Sequence, residues 1–366
     1  MKRILTILGT RPEAIKLAPV ILELLRHPTK VQSFVCVTAQ HREMLDPILE
    51  WFQIKPDFDL NLMQHNQDLA KFTSRAIISI SNVLSQVKPD AILVQGDTTT
   101  AMVAAIAAFY QHIPVGHVEA GLRTGDRYSP FPEEINRRIV SVLATFHFAP
   151  TQRAAAALRA EQISEKFIFV TGNTVVDSLL WTIQQPVQLD FDFDLEKQRL
   201  ILVTAHRRES FGKPLESLCL ALRDLVERNN NIEIVYPVHM NPNVQEPVRR
   251  ILSNHPRIHL LEPLRYEQFA HLMTKAYLIL TDSGGIQEEA PILGKPTLVL
   301  RETTERPEAI EAGTAVLVGI ERERIIHETE RLLNSREKYQ AMTRAGSPFG
   351  DGHAAERIVA ILLSKL

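Results

Sequence analysis

Short apolar runs alternate with longer stretches of helical period almost from end to end of the chain. The runs at 4–8, 34–38, 91–95, 115–118 and 146–149 read as strands, as do those at 200–204, 233–237, 258–261, 278–281 and 297–300. Between them, segments such as 13–26, 69–86 and 215–228 place apolar residues at helical spacing. Continuous apolar strands joined by amphipathic helices predict parallel sheets covered on both faces. Two such sets predict two doubly wound domains, 1–184 and 185–366, with the break near Gln184-Gln185-Pro186 and the alternating Asp and Phe of 190–194. Ligands of open α/β sheets bind beyond the carboxyl ends of the strands. A cleft between the two domains is therefore the expected site.

Composition narrows the classes without changing that picture. The 366 residues are 45% apolar and 23% charged, which excludes a largely disordered chain. A formal net charge of −2 supplies no bulk drive toward nucleic acid or an anionic membrane, so anion binding must be local. The two cysteines, Cys36 and Cys219, form neither a disulfide framework nor a zinc spacing and suit a reducing compartment. The apolar run after Met1-Lys2-Arg3 ends at Gly9-Thr10-Arg11-Pro12-Glu13 with no cleavage-type sequence. A cytoplasmic protein is expected. No P-loop, Gly-x-Gly-x-x-Gly turn, Tyr-x-x-x-Lys pair or metal-ligand spacing is present, so a site without cofactor or metal is expected.

The strand ends carry the candidate chemistry. Gly9-Thr10-Arg11-Pro12-Glu13-Ala14-Ile15-Lys16 opens a helix with Arg11 against the positive end of its dipole, a repulsion that a bound anion relieves; Lys16 follows about one turn on. Thr281-Asp282-Ser283-Gly284-Gly285-Ile286-Gln287-Glu288-Glu289 runs from strand through glycines into a helix, so free N–H groups can face phosphate. Carboxylates gather at Gln95-Gly96-Asp97-Thr98-Thr99, His117-Val118-Glu119-Ala120-Gly121 and Pro132-Glu133-Glu134. Taken singly, Asp97 also fits a helix cap, and Glu133 and Glu134 also fit a favourable dipole position. Thr204-Ala205-His206-Arg207-Arg208-Glu209 adds a histidine and two arginines at a strand end, suited to a diphosphate.

These motifs, together with Thr303-Thr304-Glu305-Arg306-Pro307-Glu308 and Gly350-Asp351-Gly352, occur in the order that resembles bacterial non-hydrolysing UDP-N-acetylglucosamine 2-epimerases. The resemblance spans residues 9 to 352 and implies a GT-B fold, two Rossmann-like domains with a UDP-sugar between them, commonly as a homodimer. It implies that the last helix, about 354–365, crosses back to the first domain. By position it assigns Asp97, Glu119 and Glu133 to acid–base chemistry and His206 to the diphosphate. Arg11, Lys16, Ser283, Gly284, Gly285, Glu289 and Arg306 are implied for UDP, with Phe269 beside the uracil. Leu264 stands where some relatives carry Gln, leaving only its backbone for the base. Gln40, His41, Arg207 and His239 fall in segments that resemble the relatives' allosteric region for a second UDP-N-acetylglucosamine.

The C2 hydrogen of such a sugar is not next to a carbonyl, so epimerisation without redox chemistry needs the anomeric bond to break first. That route, through UDP and 2-acetamidoglucal, explains carboxylates on one side and anion-holding groups on the other. A hydrolysing epimerase, a glycosyltransferase and a catalytically silent nucleotide-sugar sensor are the alternatives.

Overall fold

The computed structural model describes residues 1–38, 42–63, 68–191, 193–194, 198–207 and 210–366. The chain divides into two compact units, Met1–Trp181 with Phe349–Leu366, and Thr182–Pro348.

The first unit is built from β1 (Lys2–Leu8), α1 (Arg11–Leu25), β2 (Val31–Val37), α2 (Arg42–Trp51), β3 (Phe58–Asp59), α3 (Leu69–Val87), β4 (Ala91–Gln95) and α4 (Thr99–Tyr110). It continues with β5 (Val115–Val118), α5 (Glu133–Leu143), β6 (Phe146–Ala149), α6 (Gln152–Ala160), β7 (Ile168–Val170) and α7 (Thr174–Ile183). The strands are parallel in the order β3-β2-β1-β4-β5-β6-β7, with Ile4 opposite both Ser33 and Ala91. Every residue of β4 is buried, as a central parallel strand covered on both faces requires. Leu5, Ile7, Ile80, Ile92, Val94 and Val103 share one core, where each buried aliphatic side chain contributes about 1.5–3 kcal/mol.

The second unit follows with β8 (Arg199–Thr204), α8 (Lys213–Arg228), β9 (Ile232–Pro237), α9 (Pro242–Leu252), β10 (Ile258–Leu261), α10 (Tyr266–Lys275) and β11 (Leu278–Thr281). Then come α11 (Gly284–Glu289), β12 (Thr297–Val299), α12 (Pro307–Glu311), β13 (Ala315–Leu317), α13 (Arg322–Asn334) and α14 (Arg336–Arg344). Its parallel order is β10-β9-β8-β11-β12-β13. Leu215, Leu218, Leu222 and Leu225 of α8 repeat every three or four positions and enter the core with Ile201, Val203, Ile234 and Leu280.

In both sheets the first strand lies between the second and fourth, so the direction of winding reverses there. That reversal opens a crevice at the carboxyl ends of β1 and β4, and another at those of β8 and β11.

After the second unit the chain returns to the first through Phe349 and α15 (Ala354–Lys365), which packs on α1 and buries Ile358, Val359 and Leu362. Asp177 of α7 accepts the Ala355 N–H at 2.8 Å. Where the composition shift suggests a break near Gln184, the first unit ends at Trp181, whose ring sits 4.9 Å from that of Phe52. The ten expected strands all form. Three more, β3, β7 and β13, are two or three residues long, too short for a period to register in sequence. Among the described residues, no helix is long and apolar enough to cross a membrane.

Candidate functional site

In the first unit, the loops beyond β1, β4 and β5 converge at the reversal of the sheet. Gly9 ends the turn after β1, where an added Cβ would lie 2.2 Å from Thr38 Oγ1 and 2.5 Å from Thr100 Oγ1. Thr10 caps α1, Arg11 is its first residue and Pro12 its second. Arg11 has no ion-pair or hydrogen-bond partner among the described residues. Glu13 is fully buried at the third position and accepts from Gly9 N at 3.0 Å and Thr10 N at 2.8 Å.

Glu119 follows β5 with φ +64°, a left-handed backbone that costs a non-glycine residue about 1–2 kcal/mol. Its buried carboxylate receives the Lys16 ammonium and Asn173 Nδ2 (3.1 Å) on Oε1, and the Gln95 amide on Oε2. Lys16, expected at UDP, is thus ion-paired to Glu119. Asp97 Oδ2 accepts from Arg137 Nε at 2.9 Å and Nη2 lies 2.7 Å away, while Asn136 Nδ2 donates to the Asp97 carbonyl. Asp97 is not the cap of α4; Thr98 is, its hydroxyl accepting from Ala101 N at 3.0 Å. Glu133 opens α5, and its Oε2 is buried with no hydrogen-bond partner among the described residues. Buried carboxylate oxygens usually have a donor, so this one has acceptor capacity to spare. His117 Nε2 lies 2.7 Å from the Gly96 carbonyl, and burial pushes the imidazole down to about 3, so it stays neutral.

In the second unit, Asp282 follows β11, fully buried, and organises the loop after β8. Its Oδ2 accepts from His206 N at 2.7 Å and Arg207 N at 2.8 Å, and its Oδ1 lies 3.5 Å from His206 Nδ1. Partial burial lowers the His206 imidazole below its ordinary value, with Asp282 pulling the other way. His239 stacks on His206, centroids 5.4 Å apart. Ser283 precedes the first turn of α11, whose leading N–H groups lack acceptors in their own helix. The Arg306 and Arg207 guanidinia both approach Gly284, each Nη2 just under 4 Å from where its Cβ would be. Buried Glu288 fixes Arg306 through Nε, and Gln287, through Thr304, holds the Arg306 loop in place. Glu289 is buried beside the Tyr266 hydroxyl at 3.4 Å. Phe269 lies half-buried on α10, and Leu264, also half-buried, just before it.

Gln40 and His41, and Arg208 beside His206, lie outside the described residues. Asp282, Glu13, Gln95, Glu288 and Arg137 sat inside or beside the motifs without a role, because their work is to hold neighbours. Asn173 carried no signal beyond a Gly-Asn turn after a short apolar run. Among the described residues, no group of three or more His, Cys, Asp or Glu is placed to hold a metal ion.

The family described as UDP-N-acetylglucosamine 2-epimerase matches residues 23–363. The chain is 53% identical over 369 residues to the UDP-N-acetylglucosamine 2-epimerase of Escherichia coli K12, covering 98% of each chain. It is similar to the crystal structure of UDP-GlcNAc 2-epimerase from Neisseria meningitidis bound to UDP-GlcNAc, at 49% identity and TM-score 0.90 over 99% of this chain and 100% of that one. Acinetobacter baumannii MurG, at 15% identity and TM-score 0.63 over 100% of both chains, shares the fold alone. Two Rossmann-like parallel-sheet units with these neighbours define a GT-B fold.

Proposed function

The chain belongs to the UDP-N-acetylglucosamine 2-epimerase family, and on that premise we propose that it interconverts UDP-N-acetylglucosamine and UDP-N-acetylmannosamine without releasing free sugar. The observation that carries this reading is a pair of complementary strand-end sites. One holds Asp97 and Glu119 just beyond β4 and β5, with Glu133 opening the helix whose Arg137 pairs with Asp97; the other has His206, Arg207, Arg306 and the leading amides of α11.

In the forward step a carboxylate takes the C2 proton, that electron pair forms C1=C2, and the C1–O pair leaves with UDP. The products held in place are 2-acetamidoglucal and UDP. In the return step UDP oxygen adds to C1, and a proton reaches the opposite face of C2. Two faces need two acid–base groups, each contributing about 10²–10⁴-fold, so Asp97, Glu119 and Glu133 share the work. Arg11, Arg306, Arg207, His206 and the 283–285 amides stabilise leaving-group charge, an effect of about 3–4 kcal/mol for each well-placed donor. Partial burial favours the neutral form of His206, and a bound diphosphate would favour the protonated form. Lys16 acts through Glu119. Glu289 takes the ribose, and Phe269 with the Leu264 backbone takes the uracil.

The same reading makes the protein a cytoplasmic source of UDP-N-acetylmannosamine for surface polysaccharide, in keeping with two free, buried thiols. A homodimer is supported by exposed Ile78, Phe109, Tyr110 and Val142 on the adjoining helices α3, α4 and α5. Activation by a second UDP-N-acetylglucosamine through Arg207 and His239 is supported by the His239–His206 stack, which links that surface to the diphosphate group. Kinetics that stay hyperbolic, with reverse turnover needing no added activator, would remove the activation.

Proton NMR of UDP-N-acetylglucosamine with the pure protein in D₂O tests the whole. The expected product is UDP-N-acetylmannosamine carrying deuterium at C2. Free N-acetylmannosamine with UDP would identify a hydrolysing enzyme, and an unchanged substrate a silent binder.

A further inference from the structure

Asn173 lies outside every motif read from the sequence, yet each of its polar groups is engaged. It is 2% exposed, in the loop between β7 and α7. Its Oδ1 accepts from Val175 N at 3.1 Å, its Nδ2 donates to Glu119 Oε1 at 3.1 Å, and its backbone N–H donates to the Phe349 carbonyl at 2.7 Å. The bond from Val175 sets the orientation of the amide: with oxygen on that side, nitrogen must face Glu119.

Phe349 begins the segment that returns after the second unit. That segment meets the Asn173 loop main chain to main chain. Gly172 (φ +93°) and Gly350 (φ +133°) are so close that a Cβ on either would lie 3.4 Å from the other's Cα. Behind them, Asp177 holds the first turn of α15. Glu119 itself sits in a left-handed backbone that does not favour its side chain, so its direction depends on Lys16, Gln95 and Asn173. Asn173 is held by the returning segment through the Phe349 carbonyl.

We propose that Asn173 is a positioning residue that couples the returning C-terminal segment to Glu119, an inference resting on the acid–base role given to Glu119 above. Its removal takes one of the two donors from Glu119 Oε1 and leaves Lys16 and Gln95 to orient the carboxylate, away from the UDP-holding loops.

The test uses the full chain with Asn173→Asp and Asn173→Ala. Asn173→Asp keeps the shape and the Val175 bond but sets a second carboxylate against Glu119. Like charges raise each other's pKa, so the acidic limb of the kcat/KM profile moves up by about one pH unit. Asn173→Ala lowers kcat at least about tenfold with KM within about threefold, the split expected when an interaction made in the transition state is lost. A residue with only a packing role would lower the thermal midpoint and leave the pH profile in place. A profile that superimposes on wild type, or an Asn173→Ala kcat within twofold of it, overturns the proposal; if the alanine variant does not fold, the aspartate profile decides. Should wild type itself fail to turn over UDP-N-acetylglucosamine, the functional reading falls and takes this proposal with it. Normal wild-type turnover with unaltered variants removes this proposal alone.

Discussion

The Thr98 hydroxyl donates to Glu13 Oε1 at 2.7 Å, tying the loop after β1 to the loop after β4 across the point where the sheet reverses. The other carboxylate oxygen, Oε2, accepts from Gly9 N, Thr10 N and Thr10 Oγ1. Arg11 and Asp97 flank this tie on either loop, so one buried side chain sets the spacing of two candidate site residues.

Burial raises the Glu13 carboxyl to about 7, against the four hydrogen bonds that lower it. A carboxyl whose folded pKa lies above its unfolded value binds its proton more tightly when folded. Its penalty on stability is therefore absent below about pH 4.5 and fully developed above about pH 7. Glu13→Gln lacks that penalty. Its free energy of unfolding relative to wild type should rise by about 3 kcal/mol between pH 4 and pH 8. Denaturant titrations of both proteins at the two pH values measure this; a difference that does not change with pH would show an unperturbed carboxyl.

Asp97→Asn, Glu119→Gln and Glu133→Gln should each reduce turnover at least about a hundredfold. Single-turnover assays in D₂O distinguish them further. A variant that has lost only one face of C2 should still wash deuterium into recovered substrate, whereas near-normal turnover would remove that residue from the chemical step.

Asp282→Ala leaves the His206 and Arg207 N–H groups without their acceptor and should weaken UDP binding at least about tenfold. Asp282→Asn keeps one acceptor oxygen and should fall between. Calorimetric titration with UDP reads this directly, and unchanged affinity in the alanine variant would mean that the loop holds its shape by other means.

Gly121 takes φ +94°, and a Cβ there would lie 2.2 Å from the Ala154 carbonyl oxygen, a backbone atom that cannot swing aside. Gly121→Ala should lower the thermal midpoint by about 5 °C or more, through left-handed strain and overpacking of roughly 2–4 kcal/mol together. A midpoint within a degree of wild type would show that α6 yields easily.

The sheets were legible because fully buried parallel strands write long apolar runs, as Ala91–Gln95 does. Edge strands such as Phe58–Asp59 write nothing, since two residues hold no period. Candidate side chains could be named wherever a strand end met a glycine or a helix start, but their partners could not. Taken singly, Asp97 reads more readily as a helix cap than as chemistry, whereas in the structure Thr98 does the capping and Arg137 holds the Asp97 carboxylate. Lys16 reads as an anion ligand, and nothing local indicates that α1 also brings it to Glu119, 103 positions later. Asn173 was invisible for the same reason: its meaning lies in Phe349 and Glu119, both distant in sequence.

The return of Phe349–Leu366 to the first unit bears on how the protein is made. On the ribosome, β1 to α7 emerge long before α15, so the groove on α1 waits, uncovered, until the whole second unit has been synthesised. Through that interval the nascent first unit lacks one of its packing partners, and a stalled chain without its last helix would offer the face of α1 that α15 covers to whatever apolar surface came first.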